Sequence, residues 1–114
     1  MANDSNTQML KGILQGCLLF LLADQELYGY AISEALSKYG FNDIPKGTIY
    51  PLLMTMEKKG LLHSQSKPSP DGPNRKYYAL TAAGITAKRA FENQWNSLAS
   101  SVEQLIKEKS SHEN

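Results

Sequence analysis

The chain is poor in the residues from which many enzymes and metal proteins build their sites. Its 114 residues include one cysteine, Cys17, and two histidines, His63 and His112, far apart in the sequence. One cysteine cannot form an internal disulfide, and these three residues cannot supply the four ligands of a structural zinc site. No glycine-rich phosphate loop follows a strand, and no nucleophile–base pair is indicated by spacing. The shortage predicts a protein that is not an enzyme and needs neither metal nor cofactor.

Long hydrophobic runs are also missing. The longest, residues 16–23, has eight residues, against the roughly 20 that a membrane-spanning helix needs. No basic segment precedes this run and no small-residue cleavage site follows it, so no signal peptide is expected. Cys17 lies within the run, which indicates a buried thiol in a reducing compartment. We therefore expect a cytoplasmic protein that makes no use of a membrane.

Acidic residues are scarce in the middle of the chain. Residues 45–89 contain eight Lys and Arg against two acids, a net charge of +6, whereas residues 1–44 carry −3 and residues 90–114 carry −2. The total of +1 hides this segregation. With 41% hydrophobic and 20% charged residues, the composition is that of one folded domain. A basic centre between acidic ends indicates a surface that binds a polyanion.

The hydrophobic pattern predicts two helices before this basic centre. Residues 1–7 are polar and predict a disordered tail, with Thr7 as a candidate N-cap. A helix of about 15 residues follows, with a broad apolar face. A second, shorter helix is predicted to open at Leu27 and Tyr28 and to end at Gly40, a residue that accepts positive φ.

A third helix is predicted from about Lys46 to Lys59. Four apolar residues recur at helical spacing and are expected to face inward, namely Ile49, Leu52, Leu53 and Met56. Pro51 is tolerated within a first turn, so it indicates a helix start near Gly47 or Thr48. The residues left for the outward face and the helix N-terminus are Lys46, Gly47, Thr48, Tyr50 and Thr55. Two helices joined by a tight turn in this way make a helix-turn-helix.

Two short strands are predicted to follow the third helix. Residues 61–67 and 74–80 favour strands, and residues 68–73, rich in Pro, Ser and Gly, predict the unpaired loop between them. Alternation along the second strand places Arg75 and Lys76 on opposite faces, with both cations near the loop and able to contact phosphates. The fold class predicted is mainly α (α+β): a winged helix-turn-helix over residues 8–81, with a two-stranded wing.

The last helix is predicted over residues 82–109, with Thr81 as its cap and residues 110–114 as a disordered tail. Its large apolar residues follow a heptad spacing, and they are Phe91, Trp95, Leu98, Val102 and Leu105. Such a long, narrowly apolar helix has too little of its own domain to cover it. We expect these five residues to form the interface of a two-fold homodimer.

Five motifs in the correct order resemble the PadR family of bacterial transcriptional regulators. They are Tyr28-Gly29-Tyr30-Ala31-Ile32, Gly47-Thr48-Ile49-Tyr50-Pro51-Leu52-Leu53, Glu57-Lys58-Lys59-Gly60-Leu61-Leu62, Arg75-Lys76-Tyr77-Tyr78 and Leu80-Thr81-Ala82-Ala83-Gly84. The resemblance covers roughly residues 9–108. It implies the short form of the family, with one C-terminal helix and a dimer formed through the first and last helices. It also implies a two-fold-symmetric DNA operator, bound as a repressor that a small effector releases.

Two features of the resemblance concern individual residues. Pro73 stands near the wing tip where the family often has Arg, which removes one candidate phosphate contact and stiffens the tip. Some short members bind flat aromatic drugs between tryptophans of the paired last helices. Trp95 lies in about that region, with Phe91 one turn before it, so the resemblance implies weakly that they bind an aromatic effector. As a plain dimer residue, Trp95 needs no ligand.

The sequence leaves two functions open. The first is a dimeric repressor of double-stranded DNA, with Lys46, Gly47, Thr48 and Tyr50 in the major groove and Arg75 and Lys76 on phosphates. The alternative is a winged-helix module that binds an acidic protein without preferring any DNA sequence. The basic centre fits both functions, and preference for a two-fold operator over random duplex separates them.

Overall fold

The computed structural model describes the backbone of residues 2–110 and the side chains of residues 9–110 except that of residue 11. Four helices and three strands follow one another in the order α1 (Ala2–Leu21), β1 (Leu27–Tyr28), α2 (Gly29–Lys38), α3 (Lys46–Lys58), β2 (Leu62–Ser69), β3 (Gly72–Leu80) and α4 (Ala82–Ser110). The chain is therefore mainly helical with one small sheet and a long last helix, which confirms the predicted fold class. Of the tail predicted for residues 110–114, Ser110 is still helical and the rest lies outside the described residues.

Helix α1 and the residue after it supply four of the most deeply buried side chains. Leu14, Leu18, Leu19 and Leu22 are at most 2% exposed, and they meet apolar residues of α2, α3 and the sheet in one core. The helix begins at Ala2, earlier than the expected cap at Thr7 and inside the segment for which a tail was predicted. Cys17 is half-buried rather than fully buried, and this burial raises the pKa of its thiol.

The sheet contains a strand that the sequence analysis missed. Leu27 and Tyr28 were predicted to open the second helix, but they form β1 and pair antiparallel with Tyr78 and Tyr77 of β3. Pairing with β3 satisfies backbone groups that a helix start would leave without partners. The sheet order is β1-β3-β2, so β3 lies in the centre and ties the turn before α2 to the wing.

The wing formed by β2 and β3 is longer than predicted. The prediction of a six-residue loop at residues 68–73 is wrong. Ser69 pairs with Gly72, so the turn between the strands contains only residues 70–71. Pro68 lies where the register shifts between Lys67 and Ser69, and a bulge on an edge strand tolerates its missing N–H. Gly72 has φ 153°, a conformation that glycine adopts without strain.

Helix α4 joins the rest of the chain through its first three turns. Thr81 caps it as predicted: its hydroxyl oxygen accepts a hydrogen bond from the Gly84 N–H at 3.0 Å and donates one to the Gly60 carbonyl. Gly84 is buried, and an added Cβ would overlap the Leu61 carbonyl oxygen. Further along, the Phe91 ring lies directly over Gly16 of α1. These contacts fix the direction in which the helix leaves the domain.

Candidate nucleic-acid interface

Helix α3 divides cleanly into a buried and an outward face. Ile49, Leu53 and Met56 are at most 1% exposed, and Leu52 is half-buried against the same core, so the predicted inward face is confirmed. Seven exposed residues make up the other face, and we call it the outer face of α3: Lys46, Gly47, Tyr50, Pro51, Met54, Thr55 and Lys58. Thr48, expected with them, is half-buried.

The N-terminus of α3 differs from the expected one in a single respect. The helix begins at Lys46 after Pro45, which is extended and makes no side-chain capping bond. Pro51 is therefore the sixth helical residue, so the inference that it lies in the first turn is wrong. Its missing N–H leaves the Gly47 carbonyl without its usual helical donor.

Tyr50 joins the two helices of the helix-turn-helix. Its ring lies so close to Gly29, the first residue of α2, that a Cβ at that position would overlap it. The ring nevertheless stays 40% exposed. Packing against α2 restricts the orientation of the ring, and its exposed part remains on the outer face of α3. Tyr50 is therefore a preorganised surface group rather than a flexible one.

Arg75 and Lys76 lie on opposite faces of the wing, as alternation predicted. The Arg75 guanidinium lies 4.4 Å from the centroid of the Tyr28 ring, and Asp71 is 3.9 Å from it. The Lys76 ammonium points to the other face, 3.4 Å from a carboxylate oxygen of Glu57 on α3. The two neighbours therefore cannot act as one paired clamp on the same phosphate.

A shallow groove runs between the outer face of α3 and strand β3. Its lining comprises Pro51, Met54, Thr55, Glu57, Lys58 and Lys76. Lys58 and Lys76 bring positive charge to it from two different elements, one from the last turn of α3 and the other from the wing. The sequence analysis did not select Met54, Glu57 or Lys58 as site residues. Glu57 and Lys58 lie in one of the five family motifs, and helical spacing places Met54 one turn after Tyr50 and Lys58 two turns after Pro51.

Glu57 is the acid within this basic groove, and it holds the wing against α3. Ser64 of β2 donates a 2.6 Å hydrogen bond to one of its oxygens, and Lys76 of β3 pairs with the other. The Ser64 hydrogen bond is the largest cause of the lowered pKa of the Glu57 carboxyl, and Lys76 adds to it. A carboxylate fixed in this way orients Lys76 toward the groove and leaves its ammonium half-exposed.

The fold agrees with comparisons to known proteins. The model of the PadR-like transcriptional regulator family matches residues 18–90, more than half of the chain. The chain belongs to the PadR-like family of transcriptional regulators. A PadR-like regulator from Bacillus cereus is 41% identical, with a TM-score of 0.78 over 87% of this chain and 96% of that one.

Two further relatives agree with this membership. A Streptococcus transcriptional regulator of known structure is 43% identical, with a TM-score of 0.77 over 86% of this chain and 96% of its own. A transcriptional regulator of Mycobacterium tuberculosis is 38% identical over 79 residues, which are 66% of this chain and 72% of that protein. Members of this family regulate transcription and are not enzymes, so the predictions of family and of a non-enzyme are confirmed.

In this PadR-like regulator, the five predicted interface residues of α4 do not share one environment. Phe91 is half-buried, with its ring centroid 6.3 Å from that of Phe20 in α1 of the same chain. Trp95, Leu98, Val102 and Leu105 are between 44% and 60% exposed. Phe91 is thus occupied within its own chain, whereas the other four are uncovered.

Residues 2–110 contain no helix long and apolar enough to cross a membrane. Among the described side chains, those of residues 9–110 except residue 11, no group of three or more His, Cys, Asp and Glu is placed to hold a metal ion.

Proposed function

We propose that this regulator binds a two-fold-symmetric DNA operator as a homodimer and represses transcription from it. The observation that carries the proposal is the groove between α3 and β3, where Lys58 and Lys76 converge beside the outer face of α3. A recognition helix in the major groove needs cations on both sides to contact the phosphates that border it. Because DNA is the partner, the regulator would act in the cytoplasm.

The N-terminal half of the outer face of α3 would supply the first contacts with the major groove of the DNA. Lys46 and Gly47 are exposed at the start of α3, where backbone N–H groups and the helix dipole favour a phosphate. Tyr50 follows on the same face, and Thr48 is half-buried beside it. On the wing, Lys76 faces the groove between α3 and β3, and Arg75 faces away from it. We therefore assign the two cations to phosphates at different places on the DNA backbone.

We call the five apolar residues at heptad spacing in α4, which begin at Phe91, its seam. The four of them that are exposed support the homodimer. Trp95, Leu98, Val102 and Leu105 repeat along one stripe of the helix and remain exposed. A second copy with the same stripe would cover them in a two-fold, coiled-coil-like contact. One copy offers a single reading helix, and pairing two of them is what would match a two-fold operator.

The proposed regulation includes release of the operator by a small aromatic effector. Trp95 is 44% exposed and Phe91 lies one turn away, so an aromatic compound could be held between paired helices. Trp95 is the only tryptophan of the chain, and binding there would quench or shift its emission. An unchanged emission across a panel of flat aromatic compounds would remove the effector from the proposal.

The salt dependence of operator binding tests the DNA contact. Lys58→Ala combined with Lys76→Ala should lower the magnitude of the slope of log K against log salt by about 0.9 for each phosphate that is no longer neutralised. With two cations in each of two subunits, the decrease for a dimer should approach four such steps. The measurement is fluorescence anisotropy with an operator chosen by selection from random duplex.

The matched control is Lys107→Ala with Lys109→Ala. It removes the same charge from the end of α4 and should leave the slope close to that of the wild type. An equal fall in both double variants would mean that net charge, rather than the groove, sets the affinity. If selection finds no preferred duplex, the alternative of a protein-binding winged helix replaces the repressor.

A further inference from the structure

The middle of the outer face of α3 offers no side-chain hydrogen-bond donor to a base. Pro51 has neither a polar side chain nor an N–H. Met54 is apolar and 59% exposed. Thr55 has a hydroxyl, but it donates to the Pro51 carbonyl at 3.0 Å, so its one hydrogen is used within the helix. What these three residues present outward is hydrocarbon, a thioether sulfur and one hydroxyl oxygen that can only accept.

The two ends of the same face are different. Lys46 and Lys58 are exposed at opposite ends of α3, about 18 Å apart at 1.5 Å per residue. Lys76 faces the groove near Lys58. Cations therefore flank a central apolar segment in which Met54 is the most exposed side chain of large hydrophobic type. A single exposed methionine is ordinary on a protein surface, but here it projects between the groups that would hold the DNA backbone.

The groups that bases expose in the major groove determine what the apolar middle of α3 can recognise. Guanine presents two acceptors and is read by donors such as Arg or Lys, whereas thymine presents the C5-methyl group and is read by apolar contact. We infer that Met54, with Pro51 beside it, contacts thymine C5-methyl groups at the centre of each operator half-site. The inference rests on the proposed function and adds the base class that the middle of α3 selects.

Deoxyuridine provides the direct test, because it differs from thymidine only by the lack of the C5-methyl. An operator is first selected from a random duplex pool with the full-length protein. Each thymidine of a half-site is then replaced by deoxyuridine, one position at a time and symmetrically in both half-sites. At the central thymines, the loss of one buried methyl should weaken binding about fourfold per half-site.

Variants at Met54 show whether this side chain reads the methyl. Met54→Ala should bind the thymidine operator more weakly and lose most of its sensitivity to deoxyuridine at the same positions. Met54→Gln keeps the length and the unbranched shape but adds an amide, which suits adenine. Its selected sequences should shift from thymine toward adenine there. Tyr39→Ala is the control, since Tyr39 is 74% exposed at the C-terminal end of α2 and should change neither affinity nor sensitivity.

The outcomes are separable. A preferred operator with thymines at the centre, whose methyl sensitivity disappears in Met54→Ala, supports the inference. A preferred operator that is indifferent to deoxyuridine overturns the inference and leaves the proposed function intact. Methyl sensitivity that persists unchanged in Met54→Ala also overturns it, because another residue must then read the methyl. Failure to find any preferred duplex overturns the proposed function and this inference together. Circular dichroism confirms that each variant is folded.

Discussion

The winged domain has a core of buried large apolar side chains, whereas the distal part of α4 leaves its large apolar side chains exposed. In the domain, α1, α2, α3 and the sheet direct their large apolar side chains into one core, where most are at most 2% exposed. From residue 92 to residue 110, every side chain is exposed except that of Ala99, which is half-buried. Yet this stretch still carries a regular stripe of large apolar residues, so the stripe has no partner within the described part of the chain.

Phe91 marks the border between the two regions. It begins the heptad seam in the sequence, but its ring packs on Gly16 and meets Phe20, and the Lys88 ammonium lies 4.7 Å from the Phe20 ring centroid. One position further along the seam, Trp95 is already uncovered. A single periodic pattern therefore serves two purposes, attachment to the domain at its start and a surface for another chain beyond it.

The largest effect is expected from adding negative charge to the seam of α4. Leu98→Glu with Leu105→Glu would place carboxylates where two copies are proposed to meet, on residues that are 59% and 60% exposed in one copy. We expect a folded monomer by light scattering and sedimentation. Operator affinity should fall by about 100-fold or more, because the second half-site would no longer be held at high effective concentration.

The control for this pair is Asn93→Glu with Ser100→Glu, which adds the same charges to the opposite side of α4. This control should remain dimeric and bind the operator as the wild type does. If both double variants were dimeric, the seam of α4 would not be the interface. A monomeric wild type that already binds tightly would lead to the same conclusion.

The second-largest effect is expected at Gly84, where α4 joins the domain. Alanine favours a helix by about 1 kcal/mol over glycine, but here its Cβ would overlap the Leu61 carbonyl oxygen. Gly84→Ala should therefore lower the free energy of unfolding by about 1–3 kcal/mol. Gly12→Ala is the matched control, because Gly12 is in a helix with open space around it. Chemical denaturation should show opposite signs for the two variants, and equal stabilisation would contradict the packing argument.

Much of the fold could be predicted because local patterns and global packing agree. The inward residues of α3, the seam of α4 and the cap at Thr81 each follow from periodicity or from local hydrogen-bonding chemistry. Strand β1 could not be predicted, because two residues carry no period and their pairing depends on Tyr77 and Tyr78, about 50 positions later. The wing tip was predicted too wide, because the bulge that accommodates Pro68 is a property of the paired strands.

The candidate site was predictable only where one element determines it. The outward residues at the start of α3 and the opposite faces of Arg75 and Lys76 follow from a single helix or strand. The groove combines Lys58 with Lys76, and the Glu57 carboxylate joins Ser64 to Lys76. Each of these needs the distance between two elements, which spacing along the sequence does not contain. The contact of Phe91 with Gly16 could not be predicted for the same reason, because a heptad pattern does not show it.

A smaller loss of stability is expected from removing the cap of α4, because the cap belongs to the part of that helix that is attached to the domain. Thr81→Ala removes both the acceptor for the Gly84 N–H and the donor to the Gly60 carbonyl. Loss of such a cap costs about 1 kcal/mol of unfolding free energy. Thr81→Ser keeps the hydroxyl and should unfold close to the wild type. Stability equal to the wild type in Thr81→Ala would show that the cap does not help to attach the helix.

The smallest effect concerns pH, and it should appear in the domain and not in the seam. The Ser64 hydrogen bond and Lys76 lower the pKa of Glu57 in the folded chain, so the carboxylate stabilises the fold above its unfolded pKa of about 4.3. That contribution is lost as pH falls through the lower, folded pKa. At pH 7, Glu57→Gln should be less stable by under about 1 kcal/mol, since the group is partly exposed. The two denaturation midpoints should approach each other as pH falls below about 4.3 and coincide only below the folded pKa, whereas a gap that stayed constant with pH would mean that ionisation of Glu57 does not stabilise the wing. Trp95 emission, which reports on the seam, should change with pH in the same way in both proteins.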